Sequence, residues 1–134
     1  MKIALIAGGH LPIPPTGWGG VEHLIWNFSN QLEKLGDEVV IINTTNQKQI
    51  VSEVNQGDFD AVHLHYDQYA NLMPHINCEK QMITSHYPYL ENPEPQYVFL
   101  FDLLNKSGSH IVCLSDRIKN EFLNRNVSST NVSI

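Results

Sequence analysis

A chain of 134 residues has room for one domain with a single hydrophobic core. Hydrophobic residues make up 42% of it and charged residues 16%, a balance that excludes an intrinsically disordered chain. Eight basic and fourteen acidic residues give a formal net charge of -6. This charge argues against binding to nucleic acid or to an anionic membrane, because both require clustered lysine and arginine.

No early segment has the character of a secretory signal. The apolar run Ile3–Ala7 is too short and is interrupted by glycines. No segment approaches the roughly 20 apolar residues of a membrane-spanning helix. Cys78 and Cys113 have no metal-like spacing, and Cys113 lies in an apolar run that is typical of a buried free thiol. We therefore expect a cytoplasmic protein.

Short apolar segments alternate with amphipathic segments along the whole chain. The first is continuously apolar, which is typical of a strand that is covered on both faces of a sheet. The predicted strands are Lys2–Ala7, Glu38–Asn43, Ala61–His65, Gln81–Ser85 and His110–Leu114. The predicted helices, one after each strand, are Val21–Leu35, Asn46–Gln56, about Gln68–Ile76, a segment through Val98–Leu104, and a last one that ends near Asn124.

Helix ends are marked by residues suited to them. The first helix has one apolar stripe, made of Val21, Leu24, Ile25, Phe28, Leu32 and Leu35. Gly36 is placed to end this helix in a left-handed conformation, and Ser115 is placed to cap the last helix.

Five strands that are each followed by a helix predict a parallel sheet with helices on both faces. The fold class is a three-layer α/β/α, Rossmann-like domain that comprises residues 1–134 without an internal boundary. In such sheets, ligands bind outside the carboxyl ends of the strands. The loops to search are therefore 8–20, 43–46, 65–68, 85–91 and 114–116.

The first of these loops contains the segment Gly-Trp-Gly-Gly-Val-Glu, residues 17–22. Glycines let the backbone approach a ligand closely, and the start of the helix offers free amides to an anion, so a phosphate-bearing ligand is one interpretation. The other is that the glycines only form the turn. A dinucleotide fingerprint and a P-loop are both excluded, because neither glycine pattern is present and the second strand ends in Asn43 rather than an acidic residue.

Several motifs in order resemble the N-terminal domain of family-four retaining glycosyltransferases, which have the two-domain GT-B architecture. The similar segments are the first strand, the proline-containing loop, Gly19–Glu22, Asp60–His65, Met82–His86, Ile111–Ser115 and Asn131–Ile134. The last of these is similar to the strand that leads into the second domain of that family. The resemblance covers the whole chain, and it corresponds to about half of a usual enzyme of the family.

The resemblance implies transfer of a sugar from a nucleotide diphosphate sugar to an acceptor hydroxyl, with retention of configuration and without a cofactor or a metal. It implies that Gly19 and Gly20 face the donor diphosphate and that His86 lies beside the transferred sugar as the catalytic residue. Residues expected to line the acceptor side of the cleft are His65, Tyr87, Trp18 and Glu22. The donor would be held mostly by a C-terminal domain or by a split subunit, so we expect the isolated chain to be inactive.

Other interpretations of the same residues are open. His63 and His65 share one face of a strand and are one possible pair of metal ligands, although no cysteine or carboxylate completes a site. Asp58 and Asp60 match an Asp-x-Asp pattern but precede a strand, which predicts a solvated turn. Trp18 is either a lid or an anchor for its loop. As a whole, the chain is alternatively a non-catalytic module that binds a glycan, a phosphorylated ligand or a partner protein.

Overall fold

The computed structural model of the chain describes residues 1–86 and 95–134, with the side chains of all of these except residues 95–98. The strands are β1 (Lys2–Ala7), β2 (Glu38–Asn43), β3 (Ala61–Leu64), β4 (Gln81–Thr84), β5 (His110–Val112) and β6 (Val132–Ser133). The α-helices are α1 (Gly20–Lys34), α2 (Gln47–Gln56), α3 (Pro95–Lys106) and α4 (Asp116–Asn124). Two 3₁₀ helices comprise Asp67–His75 and Ser129–Asn131.

All six strands are parallel and form one sheet in the order β2-β1-β3-β4-β5-β6. The chain moves from β1 to β2 in one direction and then crosses back to build the rest of the sheet from β3 onward. The sheet therefore reverses its winding between β1 and β3, which is where parallel sheets open a crevice for ligands. This topology confirms the predicted α/β, Rossmann-like fold class.

Helices cover both faces of the sheet, as predicted. On β1, Ile3 and Leu5 pack against Ile25 of α1, whereas Ala4 and Ile6 belong to a larger core cluster on the opposite face. The larger cluster is built by α2, α3, α4 and the 3₁₀ helix that starts at residue 67. Because successive side chains of a strand point to opposite faces, the continuously apolar β1 serves both clusters.

The first helix differs in part from its predicted apolar stripe. Ile25 is fully buried, but Leu24 and Phe28 are each more than one third exposed and Leu35 is 81% exposed. Leu35 lies beyond the last helical turn, where it caps the helix instead of facing the sheet. Gly36 has φ of 94°, and the amides of residues 36 and 37 donate to carbonyls of the last turn, which confirms the predicted left-handed end.

The predicted cap at Ser115 is confirmed, Asn46 is a second cap that was not predicted, and one predicted helix is of the 3₁₀ type. The side chain of Asn46 accepts a hydrogen bond from the amide of Gln49, and that of Ser115 accepts from Ile118. The helix predicted at about Gln68–Ile76 is present as the 3₁₀ helix Asp67–His75. Pro74 lies inside this segment, and in an α-helix the proline ring would clash with the carbonyl four residues earlier, which gives a physical reason for this difference.

Both cysteines are free thiols. Cys113 is buried in the larger core cluster, and burial raises the pKa of its thiol to about 11, so it is an unreactive core side chain as predicted. In residues 1–86 and 95–134, no helix combines the length and the apolar character required to cross a membrane.

Candidate functional site

The carboxyl ends of β1, β3 and β4 bring the start of α1 close to two histidines. His65 follows β3 and His86 follows β4. Glu22 of the first turn of α1 lies close enough to His86 for its charge to act on the pKa of that imidazole. The site therefore lies beside the point where the sheet reverses its winding, as expected for this fold.

His63, His65 and His86 form a continuous row of rings, which we name the histidine row. The ring centroids of His63 and His65 are 4.1 Å apart, and those of His65 and His86 are 5.3 Å apart. His65 Nδ1 and His86 Nε2 are hydrogen-bonded at 3.0 Å. At the other end of the row, His63 Nε2 is hydrogen-bonded to the Thr84 hydroxyl at 2.7 Å.

Burial keeps the histidine row uncharged at neutral pH. Loss of hydration lowers the pKa of His63 to about 4 and that of His65 to about 2, with further lowering from the neighbouring histidines. Burial also lowers the pKa of His86, although the Glu22 carboxylate acts in the opposite direction. The ring of Phe28, on α1, packs edge-on against the rings of His63 and His65, and its centroid is 6.0 and 6.4 Å from theirs, respectively.

The glycine loop enters α1 in a conformation that only glycine adopts readily. Gly19 is buried at the N-cap position with φ of 142°, and a Cβ there would lie 2.7 Å from a carboxylate oxygen of Glu22. No side chain caps the helix at this position. Gly20, the first helical residue, has open space around it, because a Cβ there would meet no heavy atom of residues 1–86 and 95–134 within 4 Å. The helix start is therefore accessible to an anionic group.

A second contact fixes the beginning of this loop. The amide of Gly9 donates to Asn43 Oδ1 at 2.9 Å, and Asn43 Nδ2 donates to the carbonyl of Leu11 at 2.8 Å. Asn43 thus ties the end of β2 to the loop that follows β1. In the sequence, Asn43 stands out only as a residue unsuited to dinucleotide binding, and no local pattern predicts these two contacts.

The remaining predicted site residues occupy different environments. His65 is only 2% exposed and contacts His86, whereas Trp18 is 90% exposed and so does not anchor its loop. Tyr87 lies outside the described residues. Asp60 accepts a hydrogen bond from the amide of Lys2 at the amino ends of β1 and β3. The Asp-x-Asp segment therefore forms part of a turn at the end of the sheet away from the site. Within residues 1–86 and 95–134, no group of three histidine, cysteine or carboxylate side chains is placed to hold a metal ion.

Two buried polar residues join the site without having been predicted. Ser85 donates a hydrogen bond to the carboxylate of Asp67 at 2.8 Å, and neither residue is exposed. This contact connects the segment after β3 with the segment after β4. Asp67 follows a predicted strand by two positions and Ser85 ends one, and this placement at the carboxyl ends of the strands is the signal that would have identified them.

No protein-family model and no curated protein sequence matches the chain. Among solved structures, the chain is similar to AviGT4, a glycosyltransferase involved in avilamycin A biosynthesis, with a TM-score of 0.50 and 14% sequence identity. The match covers 98% of this chain and 62% of that one, so the chain spans less than two thirds of its structural neighbour. At this identity, the likeness establishes a glycosyltransferase-like fold.

Proposed function

We propose that residues 1–134 are the N-terminal, acceptor-side half of a retaining glycosyltransferase of the GT-B type, related to family four. The observation that carries this proposal is the convergence of an open, glycine-rich helix start with Glu22 and His86 at the reversal point of the sheet. The likeness of the fold to a glycosyltransferase supports it. The substrates would be a nucleotide diphosphate sugar and an acceptor hydroxyl.

The glycine loop is proposed to face the donor diphosphate. The amides at the start of α1 and the positive end of the helix dipole suit a doubly charged leaving group, and neither Gly19 nor Gly20 places a side chain in the way. Stabilising the charge that develops on the departing diphosphate lowers the barrier to transfer.

His86 is proposed to lie beside the transferred sugar and to act through a hydrogen bond. Its lowered pKa keeps the imidazole neutral at pH 7, so it offers a directional contact without a positive charge. Holding the sugar next to the acceptor supplies much of the rate enhancement in a reaction that needs no protein nucleophile. Because the cleft has two walls, we propose that catalysis requires a donor-binding domain from the same polypeptide or from a partner subunit.

Replacing Gly20 with alanine tests whether a ligand occupies the open space at the helix start. In the full natural protein that contains this chain, we expect Gly20→Ala to raise the KM for the nucleotide sugar about tenfold, since a methyl group would displace the diphosphate from the amides. The measurement is the rate of nucleoside diphosphate release across a panel of nucleotide sugars and acceptors. The midpoint of thermal unfolding should stay unchanged.

Gly17→Ala is the matched control. Gly17 lies in the same loop, and a Cβ there would also meet nothing within 4 Å, but it precedes the helix. We expect its KM to equal that of the wild type. Equal KM values for Gly20→Ala and the wild type, in a protein that transfers sugar, would remove the diphosphate from this loop. Sugar binding without any turnover would instead favour a non-catalytic binding module.

A further inference from the structure

One hydrogen bond occupies one of the two ring nitrogens of His86. Its Nε2 is bonded to His65 Nδ1 at 3.0 Å, so Nδ1 is the only ring nitrogen that remains for a ligand. His86 is partly exposed, whereas His65 is buried behind it. In a neutral imidazole, the hydrogen bond made by one ring nitrogen determines whether the other carries the proton.

The surroundings of His65 indicate which ring nitrogens of His65 and His86 carry the protons. In the described part of the chain, His65 Nε2 is buried and has no hydrogen-bond partner. Either tautomer leaves this nitrogen without a partner, but an unsatisfied buried N–H donor is rarer in native proteins than an unsatisfied buried acceptor. His65 therefore carries its proton on Nδ1 and donates to His86 Nε2. His86 then carries its own proton on Nδ1.

The packing around His65 holds its ring in the orientation that this bond requires. The ring of His63 lies against it at 4.1 Å, and His63 is itself fixed by its hydrogen bond to Thr84. Phe28 closes the row from α1 at 6.4 Å. A side chain whose ring is held by packed neighbours positions its hydrogen-bond partner more firmly than a mobile one does.

We propose that His65 is a positioning residue that fixes His86 in the Nδ1–H form, so that His86 presents a neutral hydrogen-bond donor to a ligand oxygen in the cleft. This assignment rests on the proposed function for the identity of the ligand, but its geometry belongs to the chain alone. It makes His86 a donor to a sugar or phosphate oxygen and not a base that removes a proton from the acceptor. Among the described residues, His65 is hydrogen-bonded to His86, and the charge of Glu22 acts on the His86 imidazole.

Nitrogen NMR of the 134-residue chain tests the assignment without substrate. With ¹⁵N-labelled histidine, we expect the wild type to show His86 protonated on Nδ1 in a single tautomer at pH 7.5, and a scalar coupling across the hydrogen bond between His65 Nδ1 and His86 Nε2. The proposal is overturned if His86 is protonated on Nε2 or if both tautomers are populated. Absence of the coupling also overturns it.

Three variants separate positioning from a structural role. His65→Phe keeps a ring but removes the bond, and it should convert His86 to a mixture of tautomers, whereas His65→Asn keeps a polar group near the position of Nδ1 and should restore one tautomer in part. His75→Gln replaces an exposed histidine outside the histidine row and serves as the control that leaves His86 unchanged. Should His65→Phe fail to fold, the asparagine variant and the wild-type coupling still decide the question.

The full natural protein distinguishes this proposal from the proposed function. We expect His65→Phe to lower kcat for sugar transfer about tenfold with little change in KM, and His65→Asn to recover part of it. An unchanged kcat in His65→Phe overturns the positioning role even where transfer is observed. A tautomer shift in NMR without sugar transfer by any variant contradicts the proposed function and leaves the His65–His86 assignment intact.

Discussion

Lowering the pH from 7.5 to 5 is expected to reduce the free energy of unfolding by about 4 kcal/mol through His63 and His65 together. Both imidazoles are buried, and loss of hydration is the first cause of their lowered pKa values. A change of this size is a large fraction of the 5–15 kcal/mol that stabilises a typical domain.

The direction follows from proton binding in the two states. In the unfolded chain each histidine binds a proton near its ordinary pKa of 6.5. In the folded chain the pKa is about 4 for His63 and about 2 for His65, so protonation requires a lower pH. Stability is therefore fully present above pH 6.5 and is lost as the pH falls below it. Each pH unit below 6.5 costs about 1.4 kcal/mol per histidine, so pH 5 costs about 2 kcal/mol for each.

Urea unfolding at pH 7.5, 6.5, 5.5 and 5 measures this dependence. The control is His75→Gln, which replaces an exposed histidine outside the histidine row. His63→Gln should remove about half of it. A free energy of unfolding that stays constant between pH 7.5 and 5 would show that the histidine row is hydrated or already paired with a charge.

Gly9→Ala is expected to destabilise the chain by about 3–5 kcal/mol. A Cβ at this position would lie 2.3 Å from the backbone carbon of Thr44 and 2.4 Å from the amide nitrogen of Thr45. Backbone atoms give way less easily than the end of a side chain, so the loop after β1 would move away from the end of β2. The left-handed φ of 78° adds a cost of about 1–2 kcal/mol for any residue with a Cβ.

Gly36→Ala separates these two contributions. Gly36 also has a left-handed φ, of 94°, but a Cβ there would meet no heavy atom within 4 Å. Its expected cost is therefore the conformational one alone, about 1–2 kcal/mol. Urea unfolding of both variants at pH 7.5 gives the comparison. Equal losses in the two variants would mean that the loop after β1 does not pack closely against the end of β2.

Local pattern predicted the fold class and most of the element positions. Continuous apolar strands, amphipathic helices and helix-end residues such as Gly36 and Ser115 are recognised from a few neighbouring residues, and these predictions are confirmed. The type of the helix at Asp67–His75 was not predicted, because helical periodicity alone does not separate an α-helix from a 3₁₀ helix. The exposure of Leu24 and Phe28 depends on how α1 is placed on the sheet, which the stripe does not encode.

The sequence indicated where the site lies but not how its residues meet. His65 and His86 were both selected because they follow strands in a parallel sheet. Their hydrogen bond depends on the path of the chain after β4, since strand register aligns Leu64 with Ile83 and leaves the histidines two positions out of step. The buried partners Asp67 and Ser85 were missed for the same reason, because a contact between two loops has no periodic signal.

The most direct test of the proposed function is sugar transfer by the full natural protein, compared between the wild type and His86→Ala. His75→Ala is the matched control, because His75 is exposed and lies outside the site. We expect transfer from one of a panel of nucleotide diphosphate sugars, a loss of about 100-fold in kcat for His86→Ala, and no change for His75→Ala. Absence of transfer from every donor in the panel, or an equal kcat for His86→Ala and the wild type, would contradict the account.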